Sequence, residues 1–413
     1  MASTTVRIRV VIVDDSVVVR RLLSDVLQTD PEIEVVATSS NGRLGVEAVR
    51  RLRPDVVVMD IEMPVMDGIE AVREIRTTDR RTPIIMFSTL TERGARATFD
   101  ALDAGATDYV TKPGQASAVG SGLESVRVEL IPRVRALAGR GPRPATGAPS
   151  RRATVSDRPT MGPALTGIDA ATRPGGPLVP AQLGGRVSGA AGLLGGARAS
   201  RLFARRPSLL AIGSSTGGPE ALARVLGALP ATLSVPVVVV QHMPAEFTRL
   251  LSERLDRTCA VRVEHAVDGE ALQAGTVVIA RGGRHLEIVR DNGRLRARLT
   301  DAAPENFCRP AVDVLFRSVA RTVGGGVLGV VLTGMGSDGT AGAVDLAATG
   351  ATLWAQDEAS SVVWGMPGSL VGAGLADQVM SLDAIGPALA AALHGAREPA
   401  AGPLTTTGGP SRA

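Results

Sequence analysis

Twice along this chain of 413 residues, short apolar runs alternate with segments of amphipathic helical spacing, and a long stretch with neither pattern separates the two series. In the first series, from Arg7 to about Leu137, the runs cover 8–13, 34–39, 56–59, 84–88 and 109–111. Segments such as 17–28 and 42–52 carry helical spacing between them. Strand and helix alternating five times predicts an open parallel sheet with both faces covered. The second series places strands at 209–213, 236–241, 261–264, 276–280, 285–289, 327–333, 352–356 and 378–380. Its helices are expected at 219–229, 245–255, 310–321, 339–349 and 382–393, again α/β and doubly wound. No internal sequence repeat accompanies the repeated architecture.

The intervening stretch is rich in Gly, Pro, Ala and Arg and has one aromatic, Phe203. Such a composition buries too little surface to offset chain entropy, so a flexible linker is expected, with a short helix at 193–203 as an option. The expected division is 1–135, linker 136–206, 207–395, and a disordered tail 396–413. A pI near 9.9 raises the question of nucleic acid. From Ala138 to Pro207, however, eleven arginines face two acids, a surplus of nine. The whole chain carries +4, so the remainder sums to −5 and offers no basic reading face for nucleic acid. No apolar run is long enough to suggest a membrane span, and MASTTVRIRV lacks a signal-peptide core, which predicts a cytoplasmic protein. Two cysteines, Cys259 and Cys308, supply neither a disulfide framework nor a structural zinc site.

The first expected strand ends in Asp14-Asp15, and the third ends in Asp60 within MDIEMPVMDG. Carboxyl ends of neighbouring parallel strands share one edge, so three carboxylates gather there in an oxygen-rich cup suited to Mg²⁺. Asp60 could then attack a phosphoryl group as a nucleophile. Ser88 ends the fourth strand, where a hydroxyl could reach a phosphoryl oxygen. Lys112, the only lysine among 45 basic residues, ends the fifth. A compact ammonium there could pair with the phosphoryl group or with Asp60. Alone it would read as a surface lysine; beside three acids it does not. Tyr109, the only tyrosine, reads either as an aromatic closing a sheet edge or as a rotamer switch coupled to Ser88.

On VDDS, MDIEMPVMDG, Ser88-Thr89 and Tyr109 through Pro113, residues 7 to about 130 resemble response-regulator receiver domains, which have a flavodoxin-like fold. The resemblance implies phosphotransfer from a histidine kinase to Asp60. It also implies Mg²⁺ held by Asp15, Asp60 and the carbonyl of Glu62, with Asp14 acting partly through water.

In the second series, 209–213 runs into Gly213-Ser214-Ser215-Thr216-Gly217, a G-x-S-x-G pattern in which a strand-to-helix turn presents a serine above a sheet. Glycines permit the turn, and a helix N-terminus favours negative charge beside Ser215. A dinucleotide-binding turn is the natural rival, but it wants an acid after the next strand, where this chain has Gln241-His242. Of four histidines, His242, His265, His285 and His394, only His242 is expected on the same sheet edge as Ser215. The strand 327–333 delivers Gly334-Met335-Gly336-Ser337-Asp338 to that edge. Asp338 alone would read as a helix N-cap; with Ser and His from two other strand ends, a triad is the economical account.

AIGSSTGGPEAL, VVVVQHMPAEFT, CRPAVDVLF, LTGMGSDGTAG and AQDEASSVVWGMPGS then make Leu209 to about Leu393 resemble the catalytic domain of chemotaxis protein-glutamate methylesterases, a Rossmann-like α/β fold. The resemblance implies Ser215 as nucleophile, His242 as base then acid, and Asp338 as its orienter, with backbone N–H groups of Thr216 and Met335 holding the oxyanion. It implies release of methanol from glutamyl methyl esters of methyl-accepting chemoreceptors, deamidation of certain glutamines, Mg²⁺ for the receiver and no cofactor for hydrolysis. A monomer, peripheral to the membrane only through its receptors, is expected. Cys308 stands where a histidine would precede the Arg-Pro, and it is set aside as a nucleophile because no histidine adjoins it in sequence. A DNA-binding output, a dinucleotide enzyme and a non-catalytic adaptor are the competing classes.

Overall fold

The computed structural model describes residues 7–113, 119–139 and 206–393. In the first unit, β1 (Ile8–Val13), β2 (Ile33–Ser39), β3 (Val56–Asp60), β4 (Ile84–Ser88) and β5 (Asp108–Thr111) form a parallel sheet in the order β2-β1-β3-β4-β5. The covering helices are α1 (Val17–Gln28), α2 (Gly42–Leu52), α3 (Gly68–Thr78), α4 (Glu92–Asp103) and α5 (Val119–Ala138). The middle strands β3 and β4 are buried throughout because helices cover both faces, which is why VVVM and IIMF show no polar alternation. Local chemistry starts the helices. Ser16, Asn41 and Thr91 accept from the first turns of α1, α2 and α4, and Asp67 and Glu70 form a reciprocal capping box on α3. Each cap contributes about 1 kcal/mol. Val13 pairs with Met59, so Asp14 and Asp60 leave adjacent strands side by side.

The second unit contains β6 (Leu209–Ser214), α6 (Gly218–Gly227), β7 (Val237–Gln241), α7 (Ala245–Thr258), β8 (Arg262–His265), β9 (Thr276–Ile279), β10 (His285–Asp291) and β11 (Arg294–Thr300). It continues with α8 (Val312–Thr322), β12 (Val327–Val331), α9 (Thr340–Ala348), β13 (Thr352–Gln356), α10 (Met366–Gly372), β14 (Gln378–Met380) and α11 (Leu382–Leu393). Seven parallel strands run β14-β13-β12-β6-β7-β9-β8. The chain winds outward from β6 first through β7 and then, after returning, through β12. The switch point therefore lies at the carboxyl end of β6, where such sheets bind ligands.

Three features depart from the sequence reading. The strand expected at 285–289 lies outside the main sheet and pairs antiparallel with β11, a strand the reading missed. Its Arg-Leu-Arg-Ala-Arg-Leu run alternates arginine with an apolar residue, and Asn292-Gly293 at φ 47° and 77° is the two-residue hairpin turn before it, so both strand signals stood in the sequence. Helix α10 was also missed; its seven residues, with Pro367 near the start, are too few to show a period. Helix α5 runs to Ala138, past the boundary expected at 135. The possible helix at 193–203 and the tail from 396 lie outside the described residues, as does the linker apart from its two ends.

The two units meet through β5 and α4 on one side and α7 on the other. The rings of Tyr109 and Phe247 stack 4.5 Å apart at 2°, and Phe99 lies 6.2 Å from the same Phe247 ring. Arg249 pairs with Glu92 at 3.3 Å, and Arg254 pairs with Asp103. Among the described residues no helix is long and apolar enough to cross a membrane.

Candidate phosphoacceptor pocket and active site

Asp14 and Asp60 are buried at the ends of β1 and β3, and Asp15 is exposed beside them. Lys112, following β5, reaches across to Asp60 at 2.7 Å and Asp14 at 3.3 Å. Burial pushes the Asp60 carboxyl up to about 6; Lys112 pulls the other way and the charge of Asp14 adds to the rise. Burial acts to lower the Lys112 ammonium, but its bonds and charge contacts with Asp60 and Asp14 leave it raised. Oxygens of Asp14, Asp15 and Asp60 lie within 4.8 Å of one another, a hard-donor set that fits Mg²⁺. The Glu62 side chain pairs with Arg93 at 3.2 Å on the surface. The Ser88 hydroxyl is turned into the fold, accepting from Thr98 at 2.7 Å and donating to the Gly94 carbonyl at 3.1 Å. Tyr109 is not on Ser88 but on Phe247, at the junction of the two units.

In the second unit, Ser214 pairs with Gln241, so Ser215 and His242 occupy the next register step on adjacent strand ends. Three contacts hold the serine turn. The Ser215 N–H donates to the Thr333 carbonyl at 3.0 Å, Gln241 Nε2 donates to the Ser215 carbonyl at 2.9 Å, and Thr333 Oγ1 donates to the Thr216 carbonyl at 2.9 Å. Gly217 turns the chain at φ 74°, where a Cβ would also strike Val362; at Gly334 a Cβ would come to 2.9 Å from that of Ser215. Among the described residues the N–H groups of Thr216 and Met335 donate to no carbonyl.

Asp338 is buried and does not cap α9, whose N-cap is Gly339. Its Oδ2 accepts from Val312 N–H at 2.7 Å, its Oδ1 from Asp313 N–H and Gly339 N–H at 3.0 Å each, and Oδ2 faces His242 Nε2 at 2.7 Å. Burial works against this carboxylate, but His242 and the N–H donors hold it at about 2. Burial likewise opposes the His242 cation, yet Asp338 and then Cys308 raise it to about 9. With Nε2 committed to Asp338, only Nδ1 can serve Ser215. Here Nδ1 faces Cys308 Sγ at 3.4 Å. This corrects the sequence reading of Cys308: a histidine adjoins the thiol in space although none does in sequence.

The sequence reading also missed Asn306 and Asp313. Asn306 Nδ2 donates to Asp338 Oδ1 at 3.2 Å and to Asp313 Oδ2 at 2.9 Å, bridging the two acids. Asp313 accepts from Gly342 N–H at 2.6 Å, and burial, with Asp338 nearby, pushes it up. A lone Asn beyond a strand carries no pattern that would reveal this. The other described histidines are engaged elsewhere. His285 is bonded on both ring nitrogens, to the Ala311 N–H and the Ala303 carbonyl, and His265 meets Thr248 Oγ1 at 3.0 Å. His394 lies outside the described residues. A crevice of about 2270 Å³ between the units is bordered by Gly217, Val362 and Trp364, but Ser215, His242 and Asp338 do not line it. Beside the site, Val363, Val362 and Met335 join the apolar cluster of Val126, Leu130 and Val134 from α5, and the Thr216 side chain lies beside the buried Asp108, acting against the rise that burial gives this carboxyl.

Both units of the chain are similar to known proteins. Residues 210–389 match the CheB methylesterase family, and residues 10–121 match the response regulator receiver domain. A protein-glutamate methylesterase/protein-glutamine glutaminase of Nocardioides sp. is 52% identical over 380 residues, covering 92% of this chain and 94% of the relative. One of the same description from Alkalilimnicola ehrlichii is 44% identical, over 93% and 99%. The crystal structure of the Thermotoga maritima CheB methylesterase catalytic domain is 40% identical, covers 45% of this chain and 98% of that one, and has a TM-score of 0.44. With a receiver unit carrying Asp60 in front of a parallel-sheet unit carrying Ser215, His242 and Asp338, the chain belongs to the CheB methylesterase family of response regulators.

Proposed function

We propose that this protein is a phosphorylation-gated serine esterase that demethylates glutamate methyl esters, and deamidates glutamines, on methyl-accepting chemoreceptors. The observation that carries the reading is the placement of Ser215 and His242 on adjacent strand ends at the switch point, with Asp338 Oδ2 2.7 Å from His242 Nε2. Nδ1 takes the Ser215 proton as Oγ attacks the ester carbonyl, and the oxyanion forms against the N–H groups of Thr216 and Met335. The same Nδ1 then returns the proton to the departing methoxide, giving methanol. Water, deprotonated by His242, cleaves the acyl-serine and restores the enzyme. Cofactor chemistry has no assigned part in hydrolysis; Mg²⁺ would sit among Asp14, Asp15 and Asp60 and neutralise the phosphoryl oxygens during transfer from a chemotaxis-type histidine kinase.

Gating follows from what lies on the oxyanion residues. Met335 packs against the apolar cluster to which α5 contributes, and the Asp108 carboxyl lies beside the Thr216 side chain, so the resting receiver lies against both residues whose N–H groups are proposed as donors. Phosphorylation of Asp60 would recruit Lys112 and Ser88 to the phosphoryl group, draw Tyr109 away from Phe247, and shift the population towards a separated arrangement. A monomeric, cytoplasmic chain that meets the membrane only through its receptors completes the proposal. The test is methanol release from methylated receptor membranes with and without a small phosphodonor. The donor should stimulate the parent and leave Asp60→Asn unchanged; equal stimulation of both would refute gating through Asp60.

A further inference from the structure

We propose that Phe307 is a specificity-determining residue whose ring makes an apolar contact with the polypeptide that carries the scissile ester. The inference rests on the esterase reading above and extends it to how the macromolecular substrate is recognised. Phe307 is 99% exposed, more than any other large hydrophobic residue of the described chain. It is the second of two consecutive non-glycine residues in the left-handed region, Asn306 at φ 51° and Phe307 at φ 63°. An aromatic side chain is disfavoured there, and glycine would be the comfortable occupant of that turn position. The ring thus stands in water on a strained backbone, with no packing in return from the folded chain. Such strain persists where the surroundings over-determine it.

The surroundings here are the catalytic residues. Paired backbone bonds of 2.8 and 3.0 Å between Cys308 and Glu305 close the turn, and Arg317 pairs with Glu305. On one side of Phe307, Asn306 holds Asp338 and Asp313; on the other, Cys308 Sγ lies 3.4 Å from His242 Nδ1. The turn is therefore fixed to the triad on both flanks, and the ring stands at a set position relative to the reacting atoms. An ester carbonyl approaching Ser215 must come within reach of Nδ1, and Nδ1 faces this turn. The polypeptide bearing that ester passes over Phe307, and the complementary chemistry is an apolar side chain flanking the modified glutamate. Phe307 takes no part in the junction with the receiver, so this contact is available in the resting and the phosphorylated states alike.

The experiment compares kcat/KM of the phosphodonor-activated full chain on two substrates: methylated receptor in membranes, and N-acetylglutamate γ-methyl ester. Phe307→Gly relieves the left-handed strain and keeps the turn foldable, Phe307→Leu keeps an apolar side chain, and Phe307→Asp opposes the contact. On receptor, Gly and Asp should lower kcat/KM roughly tenfold or more, mainly through KM, with Leu retaining most of the activity. On the small ester all three should stay within about twofold of the parent. Unchanged receptor turnover would overturn the proposal, and so would an equal loss on both substrates, which would place Phe307 in support of the triad. A parent inactive on both substrates would instead sink the esterase reading. Titration of a receptor fragment against the parent and F307G would still decide the contact, with equal affinity counting against it.

Discussion

His242 is held as a cation at neutral pH, and catalysis needs it neutral. Asp338, 2.7 Å from Nε2 and itself fixed by three backbone N–H groups, together with Cys308, raises the imidazole from its ordinary 6.5 to about 9. At pH 7 about 1% of the resting enzyme then carries the base form. Unphosphorylated enzyme should show kcat/KM for a small methyl ester rising about tenfold per pH unit from 6 to 8 and levelling near 9. Asp338→Asn removes the main opposing charge. The rising limb should move towards 6.5, while the plateau falls roughly 10³- to 10⁴-fold as the imidazole loses its orientation. The stability sign follows from the same pair. A raised histidine contributes fully below 6.5 and loses its contribution as pH rises through about 9, roughly 3 kcal/mol in all. Asp338, lowered to about 2, contributes above its ordinary 3.8 and loses that as pH falls through about 2. Methanol release measured from pH 5.5 to 10 is the assay. A parent limb centred at 6.5, or one that Asp338→Asn leaves in place, would refute the reasoning.

The junction between the units yields a second prediction. Tyr109→Ala removes a ring stack worth about 0.5–1.5 kcal/mol and should raise unphosphorylated methanol release roughly two- to twelvefold. Arg254→Asp should act in the same direction, and adding Asp103→Arg should restore part of the restraint, with the double-mutant cycle as the measure. Chelation with EDTA should abolish the phosphodonor-stimulated increment in the parent and leave the basal rate of Asp60→Asn intact. Loss of that basal rate on chelation would show a metal requirement in hydrolysis itself.

Much of this architecture is legible in the chain because each functional group ends a strand. Asp14, Asp60, Ser215 and His242 each follow an apolar run short enough to be a strand, and parallel pairing brings such ends to one edge. Helix caps are local, so α1 and α2, capped by Ser16 and Asn41, match their expected limits. What escaped is what depends on long-range contact. Arg294–Thr300 alternates arginine with apolar residues, a local strand signal; what could not be read locally is that it pairs in a hairpin outside the main sheet. Asp338 is expected to orient His242, but that it also receives the first N–H groups of α8 carries no signal in its own neighbourhood. Cys308 and Asn306 reach His242 and Asp338 across 66 and 32 positions, distances over which spacing carries no information. The stacking of Tyr109 on Phe247 belongs to the same class, since each ring alone reads as core.

The central claim is that Ser215 is the nucleophile of a receptor esterase. Its most direct measurement is methanol released from methylated receptor membranes by phosphodonor-activated parent and Ser215→Ala, the two chains first matched by circular dichroism. The account predicts a fall of roughly 10³-fold or more in the variant. Full methanol release by Ser215→Ala would contradict it.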